Sequence, residues 1–296
     1  MPEEIARVNG IEIAYERLGD PDGQPLLLVM GLGMQLIHWD LELCQLLVDR
    51  GFHVIRFDNR DVGHSTKIDA PVPDARRAMI GLRVDAPYLL ADMARDAVGL
   101  LDHLGIEAAH VVGASMGGMI AQTIAIEHPE RVLSLTSIMS TTGERRVGRP
   151  KFRVWGVLMR RAPRDEQGFI EHFMRVFKMI GSRSFPFDEA RIRAEAAATY
   201  ERDHDTAGTG RQLAAILASG DRTERLRSVR VPTTVIHGRD DPLVPFRGGR
   251  ATAEAIPGAQ MIAIPGMGHD LPREIWPQLV DAIAETAGRA APASVA

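Results

Sequence analysis

The stretch whose reading decides the fold is HVVGASMGGMIA, His110 to Ala121. It runs apolar into Val112, turns on Gly113, Ser115 and Gly117, and continues as a small-residue apolar segment. The first part has the unbroken apolar character of a strand buried on both faces. The continuation, GGMIAQTIAIEHPERV, reads as a helix. A serine on so tight a strand-to-helix corner has its hydroxyl raised clear of the sheet. Glycines flank it because side chains there would collide with neighbouring backbone. A helix opening at Met116 would aim its first amides and its positive dipole end at the spot where an anion would form beside Ser115.

Outward from this corner, eight short strand-like runs punctuate the 296 residues. IARV and IEIAYER alternate apolar and polar residues, as an antiparallel edge exposed on one face does. PLLLVMG, HVIRFDN, AHVVGAS, VLSLTSIMS, TTVIHG and AQMIAIP are nearly continuous apolar runs, the pattern of doubly covered strands. Helical patterns lie between them. DMARDAVGLLDHLG sets Met93, Ala97, Leu100, Leu101 and Leu104 on one stripe and stops at Gly105, and IHWDLELCQLLVDRG stops at Gly51. The alternation predicts an α/β protein with a mostly parallel eight-stranded sheet flanked by helices. From Gly143 to Arg230 strand signals vanish and helical stretches such as EQGFIEHFMRVFKMIG take over. The expected organisation is therefore a core of residues 1–142 and 231–288, a helical cap over 143–230 inserted after the sixth strand, and a disordered tail at 289–296. The start of the cap, ERRVGRPKFRVWGVLMRRAPR, is rich in Arg and reads as a solvated helix face.

Composition excludes several classes of function. A net charge of −4 supplies no basic field to recruit nucleic acid. No apolar run reaches membrane-spanning length and the acidic start MPEEIARVNG lacks a signal core, so a soluble cytoplasmic protein without a membrane span is expected. The single cysteine, Cys44, forbids an intrachain disulfide and sits in a helical pattern as a small buried hydrophobe.

A serine hydroxyl is a poor nucleophile at neutral pH and needs a base that is itself oriented by an acid. Of ten histidines, His269 in IPGMGHDLP follows the last strand pattern and occupies a Gly-rich loop before the final helix. His103 and His172 lie in helices, His53 and His110 open strands and His237 ends one; His38, near the third strand, is the rival. For the acid, VIHGRDDPLVP places Asp241 just past a strand end, with Asp240 in reserve. The resulting order is Ser, Asp, His, each beyond the carboxyl end of a strand, where open α/β sheets bind their ligands. The oxyanion donors expected are the backbone amides of Met116 and of Leu32, the latter in VMGLGMQ, where Gly31 and Gly33 let the chain bend close. The cluster FDNRDVGHST reads as structural, a buried Asp58/Arg60 pair and a tight turn bracing the neighbouring loops. Leu36, Trp39, Met139, Leu243 and Val244 suggest an apolar pocket. Phe152, Trp155, Met159, Phe173 and Phe177 could close over it, though packing within the cap accounts for most of them.

With these residues in hand the chain resembles a lidded α/β-hydrolase along nearly its whole length. PLLLVMGLGMQLIHWD, VIRFDNRDVGHST, DMARDAVGLLDHLGIEAAHVVGASMGGMIAQ and IPGMGHDLP stand where that family has its landmarks. The wording VMG and DNRDVGHS is most similar to bacterial carboxylesterases and the aclacinomycin methylesterase group. The resemblance implies Ser115 as nucleophile, Asp241 as acid, His269 as base, and Leu32 and Met116 as oxyanion amides. Two departures stand out: the family's usual His-Gly is Met30-Gly31, and its common Asp-x-Arg-Gly run reads Asp58-Asn59-Arg60-Asp61. The expected activity is hydrolysis of small to medium apolar carboxylic esters through an acyl-enzyme, with no cofactor and no metal. Carbon–carbon bond hydrolases and cofactor-free perhydrolases use the same three residues and are the alternatives. A non-catalytic ligand receptor ranks behind them, and a homo-oligomer is left open.

Overall fold

Each of the eight runs becomes a strand: β1 (Glu4–Val8), β2 (Ile11–Leu18), β3 (Gln24–Val29), β4 (Phe52–Phe57), β5 (Ala109–Ala114), β6 (Val132–Ile138), β7 (Thr233–Gly238) and β8 (Gln260–Ile264). The computed structural model describes residues 2–75, 77, 82–148, 154 and 162–290. The anticipated lid positions Phe152, Trp155 and Met159, much of the Arg-rich cap start and tail residues 291–296 lie outside that set.

The strands form one sheet in the order β1-β2-β4-β3-β5-β6-β7-β8. β2 pairs antiparallel with both neighbours, and every pairing from β4 to β8 is parallel. β3 is where the winding reverses: the chain goes from β3 outward to β4, then returns across it to β5. The crevice beyond the carboxyl ends of β3 and β5 is thus the topological switch point, the position at which such sheets bind ligands. Val29 sits beside Gly113 at that point.

Alternate residues of the parallel strands feed two cores. Leu27, Val29, Val111 and Leu135 pack on one face with α2 (Leu90–His103) and α3 (Met116–Glu127). Leu26, Leu28, Val112 and Ile138 pack on the other with α1 (Leu41–Val48) and, near the C-terminus, the helix Trp276–Gly288. Leu26, Leu27 and Leu28 are fully buried, each contributing about 1.5–3 kcal/mol. β2 departs from the expected alternation, because Ile13, Ala14 and Tyr15 are all buried. It is an interior strand, and the loop after β4 folds over it: Ser65 Oγ and Thr66 Oγ1 accept the amides of Ala14 and Glu12.

Between β6 and β7 come α4 (Glu166–Ile180), α5 (Glu189–Arg202), α6 (Ala207–Ser219) and α7 (Thr223–Leu226). Asp165 and Asp188 cap α4 and α5 by accepting the amides of Gly168 and Arg191, orphan donors of the first turns. α4 and α5 share a cluster of their own, built on Phe169, Phe173, Met174, Ile192 and Ala196. Ala215 of α6 and Leu226 of α7 instead join the sheet cluster. The last helices are α8 (Phe246–Ala255) and α9 (Trp276–Gly288). Among the described residues no helix is long and apolar enough to cross a membrane.

Candidate active site

Ser115 occupies the corner between β5 and α3 with φ +56° and ψ −117°, a conformation that L-residues rarely adopt. Close packing explains its glycines. A Cβ on Gly113 would lie 2.1 Å from the Gly117 carbonyl oxygen, and one on Gly117 would lie 2.0 Å from that of Val29. The corner is pinned to β6: the Ser115 amide donates to the Ile138 carbonyl at 2.9 Å, and Ser140 Oγ donates to the Ser115 carbonyl at 2.8 Å.

Two distant segments bring their side chains to this hydroxyl. His269 Nε2 is 2.9 Å from Ser115 Oγ, and His269 Nδ1 is 2.6 Å from Asp241 Oδ2. The carboxylate requires Nδ1 to carry the proton and donate it, which leaves Nε2 to accept from the serine hydroxyl. Asp241 is held from its other side, Oδ1 accepting the amides of Leu243 and Val244 at 2.8 Å each. His237, at the end of β7, closes the same turn by donating Nε2–H to the Val244 carbonyl. Burial holds His237 below the usual histidine range, which favours its neutral form beside Asp241. A hydroxyl, an imidazole and a carboxylate in this sequence can transfer a proton away from the oxygen as it attacks.

Met116 is the first residue of α3, so its amide has no preceding helical carbonyl to bond. The loop after β3 approaches it closely: a Cβ on Gly31 would be 3.2 Å from Ser115 Cβ. That loop is clamped at four points. Asn59 Nδ2 donates to the Met30 carbonyl, Gln212 Oε1 accepts the Gly33 amide, Gln35 Nε2 donates to the Thr199 carbonyl, and Asp58 Oδ1 accepts the Leu36 amide. Gly33 has φ +69°, a turn that favours glycine. Among the described residues neither the Leu32 nor the Met116 amide is paired with another group, so both remain able to donate to an anion.

The cluster after β4 braces this loop, but its pairing differs from the expected one. Asp58 bonds Arg202 of α5, and Arg60 bonds Asp96 of α2. The two side chains of one turn meet different partners far along the chain. Gly63 is a glycine because a Cβ there would stand 2.0 Å from Asp58 Oδ2.

The rivals have other engagements. His38 is half-buried, accepts the Gln35 amide on Nδ1 and meets Thr199 Oγ1 through Nε2, and desolvation pushes it down to about 4. Asp240 is exposed. His64 pairs with Glu3 at the surface. Cys44 is buried, its thiol pushed up to about 12 by desolvation. Phe173 and Phe177 stack on each other 4.7 Å apart within the cluster of α4 and α5. Sequence reasoning misses Gln212, which lies 179 residues from Gly33 and carries no local signal. Asn59, adjacent to Asp58, could be found by asking which side chain of that turn faces β3.

A family model described as the alpha/beta hydrolase fold matches residues 24–272. The rhodomycin D methylesterase of Streptomyces peucetius is 30% identical over 304 aligned positions, covering 96% of this chain and 97% of the relative. Among solved structures, the enol-lactonase of Burkholderia xenovorans LB400 superposes with a TM-score of 0.76 at 22% identity, covering 97% of this chain and 100% of the other. A meta-cleavage product hydrolase of Pseudomonas fluorescens IP01 superposes with a TM-score of 0.75 at 21% identity, covering 96% and 97%.

Proposed function

This chain belongs to the alpha/beta hydrolase fold family, and on that premise we propose that it is a serine carboxylesterase acting on small to medium apolar esters. The observation that carries the proposal is the run of contacts from Ser115 Oγ to His269 to Asp241, at 2.9 and 2.6 Å. His269 takes the serine proton as Oγ attacks the ester carbonyl, and Asp241 steadies the imidazolium. The amides of Leu32 and Met116 hold the oxyanion; such a donor typically stabilises the transition state by about 3–4 kcal/mol. His269 then protonates the departing alcohol and activates water, which releases the acid from Ser115.

An ester suits the site better than an amide, because an alkoxide leaving group needs less protonation. The 30%-identical relative is a methylesterase, which supports the same bond class. Residues 143–230 act in this reading as the cap, with Ile180 of α4 bonded to the His269 amide and Thr199 of α5 and Gln212 of α6 bonded to the loop after β3. A small-molecule substrate and a cytoplasmic setting accompany it.

A p-nitrophenyl ester series from acetate to palmitate, run beside S115A, tests the proposal. Turnover that peaks at short to medium acyl chains and disappears in S115A is the expected result. Turnover unchanged in S115A would remove the nucleophile. Cleavage of a vinylogous ketone far above any ester rate would reassign the reaction to carbon–carbon bond hydrolysis.

A further inference from the structure

The loop that carries His269 does not stand alone; the end of α4 is built into it. A helix leaves its last carbonyls without helical partners. One of these, the Ile180 carbonyl, accepts the His269 amide at 2.8 Å. Two residues on, the Ser182 hydroxyl accepts the Gly268 amide at 2.9 Å and donates to Asp270 Oδ1 at 2.6 Å. The Ser182 amide donates to that same oxygen at 2.9 Å. One serine thus ties the residue before His269 and the residue after it, while Ile180 ties His269 itself. Close approach reinforces the seat: a Cβ on Gly268 would lie 2.4 Å from the Gly181 carbonyl carbon, and one on Gly266 would lie 2.4 Å from Ser184 Cβ.

Anchors on three consecutive residues, the backbone amides of Gly268 and His269 and the side chain of Asp270, fix the direction in which residue 269 projects its ring. The ring must satisfy Asp241 at one nitrogen and Ser115 at the other, so a small rotation of its backbone spoils both contacts. Misplacement by about 1 Å can cost on the order of 100-fold in rate. Resting on the reading of His269 as the base, we infer that Ser182 and Asp270 are positioning residues that seat it against the acid and the nucleophile. The segment following α4 is therefore part of the support of the base as well as part of the cover.

The test uses the full chain with S182A, D270A, S182T and D270N, read by p-nitrophenyl butyrate turnover. It also follows the far-downfield proton resonance of His269 Nδ1–H, assigned by its loss in H269A. S182A and D270A are expected to lower kcat on the order of 10- to 100-fold. KM should change by less than about twofold, the split expected when alignment rather than binding is lost. The resonance should shift or broaden in the same two variants. S182T keeps the hydroxyl and D270N keeps an acceptor oxygen, so each recovers most of the turnover lost in the alanine variant. Circular dichroism and thermal midpoints verify folding, and the Asp270 pair carries the test if S182A does not fold. A kcat within about twofold of wild type in both alanine variants, with H269A inactive, overturns the positioning role and leaves the base assignment standing. A loss that only follows the thermal midpoint, with the resonance unmoved and no conservative rescue, overturns it too. An H269A enzyme that turns over normally sinks both readings.

Discussion

Asp241 faces His269 with one oxygen, Oδ2, at 2.6 Å from Nδ1, while its other oxygen is already occupied by the amides of Leu243 and Val244. Both oxygens therefore meet donors. This fixes what an amide at that position must do. In D241N the carbonyl oxygen stays with the two backbone amides, and the NH2 group is forced toward His269. The imidazole then has to accept on Nδ1 and carry its proton on Nε2, so it offers Ser115 a donor instead of an acceptor. The expected outcome is a kcat lower by about 10⁴-fold, as inversion of the histidine tautomer produces in serine hydrolases with this arrangement. Thermal stability should change little, because the turn keeps its two amide bonds. Steady-state kinetics with a p-nitrophenyl ester, beside a thermal melt, check it. A D241N enzyme within about tenfold of wild type would strip Asp241 of its role.

Gly117 has no room for a methyl group, since a Cβ would lie 2.0 Å from the Val29 carbonyl oxygen and 2.8 Å from that of Met30. The obstacle is backbone at the centre of the sheet and cannot swing away. G117A should destabilise the protein by about 3 kcal/mol or more, through overpacking. Gly288, with nothing within 4 Å of its virtual Cβ, is the control, and G288A should melt at or slightly above the wild-type temperature. Urea unfolding of the pair decides the matter. Equal midpoints for G117A and wild type would mean that the elbow can relax and that backbone crowding does not dictate its glycine.

Gln212 carries the Gly33 amide on Oε1 and donates Nε2–H to the Arg60 carbonyl, each at 2.8 Å. It thereby couples the loop after β3 to the turn after β4. Q212L preserves much of the volume but strands both backbone groups, at a cost of about 1–3 kcal/mol in stability. Because Leu32 is the residue before Gly33, its amide should lose its aim. A fall in kcat of about 10- to 100-fold is expected, the upper end approaching the loss of one oxyanion donor. Q212E keeps an acceptor for Gly33 and should retain more turnover than Q212L. Equal rates in Q212L and wild type would show that the loop holds its shape without this side chain.

His110 is buried and His38 half-buried, and desolvation pushes each from 6.5 down to about 4. Between those values the unfolded chain binds protons that the folded chain does not, so stability rises with pH across the window. The contribution is whole above about 6.5 and is lost as the pH falls toward about 4, with a slope of at most about 1.4 kcal/mol per pH unit for each histidine. H110Q removes one of the two groups, so its urea midpoint should depend less steeply on pH than that of wild type across this interval. Parallel pH dependences for the two proteins would refute the assignment of His110 to the buried neutral state.

The eight strands, the glycine-flanked elbow and the three side chains that meet at 2.6 and 2.9 Å are all legible in the sequence. Strand and helix periodicities are local, and each of the three residues lies just past the end of a strand that can be recognised from its own few neighbours. The places where sequence and structure differ have a common cause. The alternation of β2 predicts one wet face, but it is an interior strand overlaid by Ser65 and Thr66, residues that lie 51 and 54 positions from their partners. Asp58 and Arg60 suggest a pair because they are neighbours in the chain, yet each bonds a partner on a different helix.

What the sequence by itself determined is the architecture and the identity of the groups that meet at the elbow, because buried strands, caps and a strained serine corner demand particular residues within a short window. Only the tertiary structure decided how those groups are held: Gln212 on the Gly33 amide, Ser182 and Asp270 around His269, and the amides of Leu243 and Val244 on Asp241. Most of these supports are polar contacts between segments remote in the chain. A single hydrogen bond of that kind needs only one suitable side chain at one end, which imposes no pattern on its neighbours and becomes visible only when the backbone has folded to bring the two ends within about 3 Å.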